Sequence, residues 1–111
     1  MKGRPADMIH TELEVTNEQG LHARPAELFV RAANRYSCDI LLRNLTTRSE
    51  TKSAKNILHV LSLGIYRGHR IGVTASGQDE AAALTEISRL VNSNFALAPV
   101  VGGPSRFNKR S

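Results

Sequence analysis

Cysteine occurs once in the 111 residues, at Cys38. An internal disulfide is therefore impossible, which suits a reducing cytoplasm. The lone thiol reads as a small buried hydrophobe rather than a nucleophile. No apolar run approaches the roughly 20 residues that span a bilayer. Residues 1–7 lack the apolar segment of a secretory signal, so a soluble, cytoplasmic location without membrane insertion is the expectation. The chain has no G-x-x-x-x-G-K loop to cradle a nucleotide and no G-x-S-x-G elbow. His10, His22, His59 and His69 stand too far apart for a local metal motif, so neither metal nor cofactor is expected. Tryptophan is absent, and no strand carries the aromatic pattern of an RNA-recognition domain.

The net charge of +5 could point to nucleic acid, but its placement argues otherwise. Ten basic and nine acidic residues between positions 8 and 94 leave that stretch at +1. The excess lies at the ends, in Lys2 and Arg4 and in Arg106, Lys109 and Arg110. Nucleic acid is not an expected partner.

A chain of this length makes one domain with a single modest core. Residues 8–15 alternate, with Ile9, Thr11, Leu13 and Val15 on one face and His10 turned to solvent, as in a half-buried strand. From Ala23 to about Tyr36 the period becomes helical, with Ala26, Phe29, Ala33 and Tyr36 recurring and Val30 and Ala32 widening the stripe. Cys38, Ile40 and Leu42 share one side of a second strand. A polar hairpin over residues 44–48 leads to a weak strand around Ser49–Lys52. Ser53 is placed to cap a second helix, whose apolar stripe is Ile57, Leu58, Leu61 and Val60 and which ends at Gly64. Residues 65–69 form a turn, and Ile71, Val73 and Ala75 alternate in a strand from Arg70 to Ser76. A last helix opens at Asp79-Glu80 and repeats Ala83, Leu84, Ile87, Leu90 and Val91. The order βαββαβα predicts an α/β (α+β) open-faced sandwich, a mixed or antiparallel four-stranded sheet covered on one face by three helices. Residues 1–7 and 95–111 read as flexible extensions around a domain at 8–94, the second one basic.

The chemistry concentrates at Gly20-Leu21-His22-Ala23-Arg24-Pro25-Ala26. Pro25 suits the first turn of a helix, which puts His22 at or just before its N-terminus. Amides without intrahelical partners and the positive end of the helix dipole make such a place an anion site. A neutral imidazole is both a nucleophile and a leaving group for phosphate. The N–H groups of Ala23, Arg24 and Ala26, with the guanidinium of Arg24, would receive the charge. The expectation is a histidine that carries a phosphoryl group. Phosphoryl transfer asks mainly for positioning and charge neutralisation, which fits a site without an acid–base triad.

This heptapeptide resembles the active-site signature of the HPr phosphocarriers of the bacterial phosphoenolpyruvate:sugar phosphotransferase system. Residues 55–64, from Lys55-Asn56-Ile57-Leu58 to Gly64, resemble that family's second signature. The resemblance implies that His22 accepts a phosphoryl group on Nδ1 from enzyme I and passes it to an enzyme IIA domain. It implies a monomer that docks both partners through exposed apolar residues, here Ile57, Leu58 and Leu61. The same three could fill the core, and a division between core and docking is expected. Many members carry a regulatory serine after the lysine of the second signature; here that position is Asn56, so kinase control there is not expected, and Ser53 is the fallback. About three extra residues lie in the hairpin relative to the family. A regulatory reading, in which the protein signals phosphorylation state to a kinase or regulator rather than feeding sugar uptake, is the alternative.

Overall fold

A computed structural model describes residues 8–96. The elements are β1 (Met8–Glu14), α1 (Ala23–Asn34), β2 (Asp39–Asn44), β3 (Lys52–Ser53), α2 (Ile57–Ser62), β4 (Arg70–Ser76) and α3 (Glu80–Asn92). The sheet runs β1-β4-β2-β3, and its pairings are all antiparallel. The mixed alternative falls away. Because Leu13 pairs with Ile71 and Leu42 with Val73, the apolar sets of three strands share one face. That face carries Leu13, Ile40, Leu42, Ile71, Val73 and Ala75, which pack with Phe29 of α1, Val60 of α2 and Ile87 of α3. The other face is wet: His10 meets its cross-strand partner Thr74 at 3.0 Å, and Arg70 lies 3.8 Å from Glu12. Among the described residues, no helix is long and apolar enough to cross a membrane.

Several local expectations shift. β3 is two residues long and begins at Lys52, after the turn that follows β2. Ser53 therefore lies in a strand, where its hydroxyl accepts from the Lys55 N–H at 3.1 Å. The cap of α2 is Asn56, whose Oδ1 accepts from the N–H groups of Leu58 and His59 at 2.9 and 3.2 Å. Asparagine with extended φ and ψ is a strong N-cap, so Ser53 is not required there. The apolar stripe of α2 is also reassigned. Val60 is buried, while Ile57, Leu58 and Leu61 are 37%, 70% and 37% exposed. The expected division of those three between core and surface does not occur, because Val60 with Leu63 and Ile65 anchors this segment instead.

Leu28, outside the expected stripe, joins Ala32 and Leu90 in a second small cluster. Phe95 packs against both clusters, so the folded unit includes this residue. The expected extension at 1–7, and all of the expected extension at 95–111 beyond residue 96, lie outside the described residues. Cys38 is buried as expected. Its burial, then a hydrogen bond to Asp79, pushes the thiol up to about 11. Asp79 stands at the α3 N-cap but makes no cap bond there. Its carboxylate instead accepts the N–H groups of Ser37 and Cys38, both at 2.9 Å. These bonds, the one from Ser37 first, hold that carboxyl below its ordinary range.

Candidate functional site

The loop after β1 is tied to the loop before β4 by main-chain bonds. Val15 N–H donates to His69 O at 2.9 Å, Gly68 N–H to Val15 O at 2.7 Å, and Leu21 N–H to Ile65 O at 2.9 Å. Gly20 makes the last contact possible. Its φ is +63°, and a Cβ there would lie 2.4 Å from Ile65 O and 2.7 Å from Tyr66 Cα. Only glycine supplies both the left-handed backbone and the missing carbon.

His22 follows as the N-cap of α1, extended at φ −131° and ψ 163°, with no side-chain cap bond. The next residue, Ala23, is left-handed at φ 53°. An alanine there carries backbone strain of the kind that gathers at functional sites. Pro25 has no N–H to offer. Ala26 N–H turns back to His22 O at 3.5 Å. The first amides left without a partner among the described residues are thus those of Ala23 and Arg24, and Ala26 is engaged only by a long bond. Among the described residues, no side chain caps this helix end by a hydrogen bond.

The His22 ring is half-buried. Its Nε2 is buried without a hydrogen-bond partner, which leaves Nδ1 as the nitrogen toward solvent. The ring stacks on Tyr66 with centroids 4.5 Å apart and planes 33° from parallel. Tyr66 in turn meets the edge of His69 at 5.9 Å. His69 Nδ1 accepts from Tyr66 N–H at 3.1 Å and lies 3.1 Å from the Nδ2 of Asn44. Both neighbours are donors, so Nδ1 carries the lone pair and the proton sits on Nε2. Asn44 is fully buried opposite Ile71. Its Oδ1 accepts from Thr46 and Thr47 N–H, which fixes which end of the amide faces His69. Sequence reading took Asn44 for a hairpin residue and both Tyr66 and His69 for parts of a turn. Carrying the alternation of Cys38, Ile40 and Leu42 one step further would have put Asn44 on the inner face, but nothing local announces the rings.

Arg24 is not directed at the imidazole. Its Nη1 pairs with Glu27 Oε1 at 3.0 Å across one helical turn, both side chains largely exposed. Arg24 also lines a cleft of about 570 Å³ with Asn17, Glu18, Pro25, Leu28 and Phe95. An exposed pair of this kind contributes about 0–1 kcal/mol, so the guanidinium is available to a stronger anion. α2 packs against α1, and it shows Ile57, Leu58 and Leu61 to solvent. Asn56 has no hydroxyl to modify. Ser53 is half-buried with its oxygen already accepting a bond.

Residues 9–93 match the family described as PTS HPr component phosphorylation site. The phosphocarrier protein HPr of Treponema pallidum is 38% identical over 88 residues, covering 79% of this chain and 97% of that protein. The HPr-like protein Crh of Bacillus subtilis is 36% identical over 84 residues, 76% of this chain and 95% of its own length. The multiphosphoryl transfer protein of Haemophilus influenzae is 33% identical over 91 residues, 82% of this chain; the match spans only 18% of that longer protein. Among solved structures, HPr-C-His from Thermoanaerobacter tengcongensis superposes with a TM-score of 0.75 at 33% identity, covering 82% of this chain and 99% of its own.

Proposed function

The chain belongs to the PTS HPr family, and from that membership we propose that His22 is its phosphoryl-carrying residue, loaded by enzyme I and unloaded onto an enzyme IIA domain. One observation supports this most: Nε2 is withdrawn from solvent, so Nδ1 is the nitrogen a donor can reach. The Nδ1 lone pair forms the N–P bond as the donor's bond to phosphorus breaks, and the reverse step delivers the group to the acceptor. The product carries nearly two negative charges. The amides of Ala23 and Arg24 meet them at the helix end, with the longer-bonded Ala26 amide behind. Arg24 leaves Glu27 for the phosphoryl oxygens, where its planar fork can bind two at once. Ile57, Leu58 and Leu61 form the docking surface for both partners. The carrier works as a monomer in the cytoplasm.

The test is incubation with phosphoenolpyruvate and enzyme I, expecting an acid-labile, base-stable phosphate that is absent from His22→Ala. Label on that variant would move the site elsewhere. Arg24→Ala is expected to slow transfer far more than it changes stability.

A second reading is favoured by Asn56 and by the likeness to the HPr-like protein Crh. In it the protein is a regulatory module that reports its phosphorylation state to a kinase or regulator. Asn56 excludes serine-kinase control at its own position, and Ser53 remains the nearest hydroxyl. Transfer of label to a transport-type enzyme IIA separates the two readings.

A further inference from the structure

We propose that Tyr66 is a positioning residue for phosphoryl transfer, holding the plane of the His22 imidazole through its ring. This rests on His22 being the phosphoryl acceptor. The lone pair of an imidazole nitrogen lies in the ring plane, so whatever fixes the plane fixes the line along which phosphorus must approach. Near-attack geometry of this kind is where transfer gains most of its rate. The 4.5 Å, 33° stack supplies such a constraint.

Tyr66 is itself held from several sides. Its N–H is bound to His69 Nδ1, its carbonyl accepts from His69 N–H at 3.0 Å, and its Cα lies against Gly20. His69 is steadied by Asn44, whose Nδ2 also reaches Leu63 O and Gly64 O at 3.3 Å each. Tyr66 is nevertheless 58% exposed. Burial does not account for an aromatic side chain here, and the rings it meets among the described residues are those of the two histidines. A tyrosine placed only for packing would turn inward, as the neighbouring Ile65 does.

The experiment uses a donor too small to dock. With phosphoramidate, the imidazole lone pair forms the new N–P bond while the P–N bond of the protonated donor breaks, its electron pair leaving with ammonia. An aromatic pair of this type biases the imidazole toward the stacked orientation by a factor of about 2–12, and the rate follows the fraction of rings in that orientation. Tyr66→Ala is therefore expected to label more slowly by about that factor, with phosphoramidate and with enzyme I alike. Tyr66→Phe keeps the ring and is expected to restore the rate. The ring-current shift of the His22 carbon-bound protons should be present in wild type and Tyr66→Phe and lost in Tyr66→Ala. Wild-type labelling of Tyr66→Ala by phosphoramidate overturns the proposal and leaves Tyr66 as a docking residue. So does a Phe variant as slow as Ala, or a wild-type spectrum without the shift. Label on His22→Ala in the same assay would instead remove the underlying assignment.

Discussion

Replacing Gly20 by alanine tests the contact that brings the His22 loop and the Tyr66 loop together. Two costs arise. At φ +63° a residue with a Cβ pays about 1–2 kcal/mol in the left-handed region. The new carbon would also sit 2.4 Å from Ile65 O and 2.7 Å from Tyr66 Cα. Both are backbone atoms that cannot swing aside, so one loop must retreat. Overpacking of this sort costs about 1–3 kcal/mol. The retreat also stretches the Leu21–Ile65 main-chain bond, worth about 1 kcal/mol. The expected loss for Gly20→Ala is about 3–6 kcal/mol in all. Gly68 is the control: its φ is +91°, but nothing lies within 4 Å of its missing Cβ. Gly68→Ala should lose only the conformational part, about 1–2 kcal/mol. Urea unfolding followed by circular dichroism measures both, and the Gly20 variant should unfold at least about 1 M earlier than wild type. Losses for the two variants that agree within about 1 kcal/mol would refute the steric argument. A retained wild-type His22–Tyr66 ring contact in Gly20→Ala would refute the claim that this glycine sets the spacing of the loops.

Asn56→Ala removes both cap bonds of α2 and should cost about 1 kcal/mol, whereas Asn56→Ser, which keeps a capping oxygen, should stay within a few tenths; thermal unfolding distinguishes them. Val60→Ala, at a fully buried position, should cost about 2 kcal/mol. Leu58→Ala should stay within about 0.5 kcal/mol yet slow phosphorylation by enzyme I; equal stability losses would contradict the assignment of α2's faces. The Cys38 thiol, raised from 9.0 to about 11, stays protonated in the folded chain where the unfolded chain already loses its proton. Its contribution to stability is therefore full below about pH 9 and falls as pH rises toward about 11. Comparing urea midpoints of wild type and Cys38→Ala across that window should reveal a gap that narrows with pH, and a constant gap would contradict the shift.

Alternation made β1, β2 and β4 legible because each has one buried and one wet face, so the period of two is written directly into residue type. The first and third helices were legible for the same reason at a period of 3.6. α2 was harder. Six residues make fewer than two turns, and four adjacent apolar side chains in one short helix cannot be sorted into core and surface by spacing. β3 was harder still, since a two-residue edge strand has no period at all. Ser53 and Asn56 are both good capping residues, and only the backbone conformation chooses between them. At the candidate site, His22, Arg24 and Pro25 were readable from their order along the chain. Tyr66, His69 and Asn44 were not, because they come from distant turns and strands.

By itself, the order of residues determined β1, β2 and β4, the first and third helices, the single inward face of the sheet, and a histidine set at the start of a helix with proline in its first turn. These are consequences of local periodicity and backbone chemistry, which act within a few residues. Tertiary structure alone decided which apolar side chains of α2 remain outside, that the buried Asn44 meets His69, and which ring lies against His22. Each of those depends on where a second loop or helix face arrives in space, and that position is a property of the packed core, not of the segment that carries the residue.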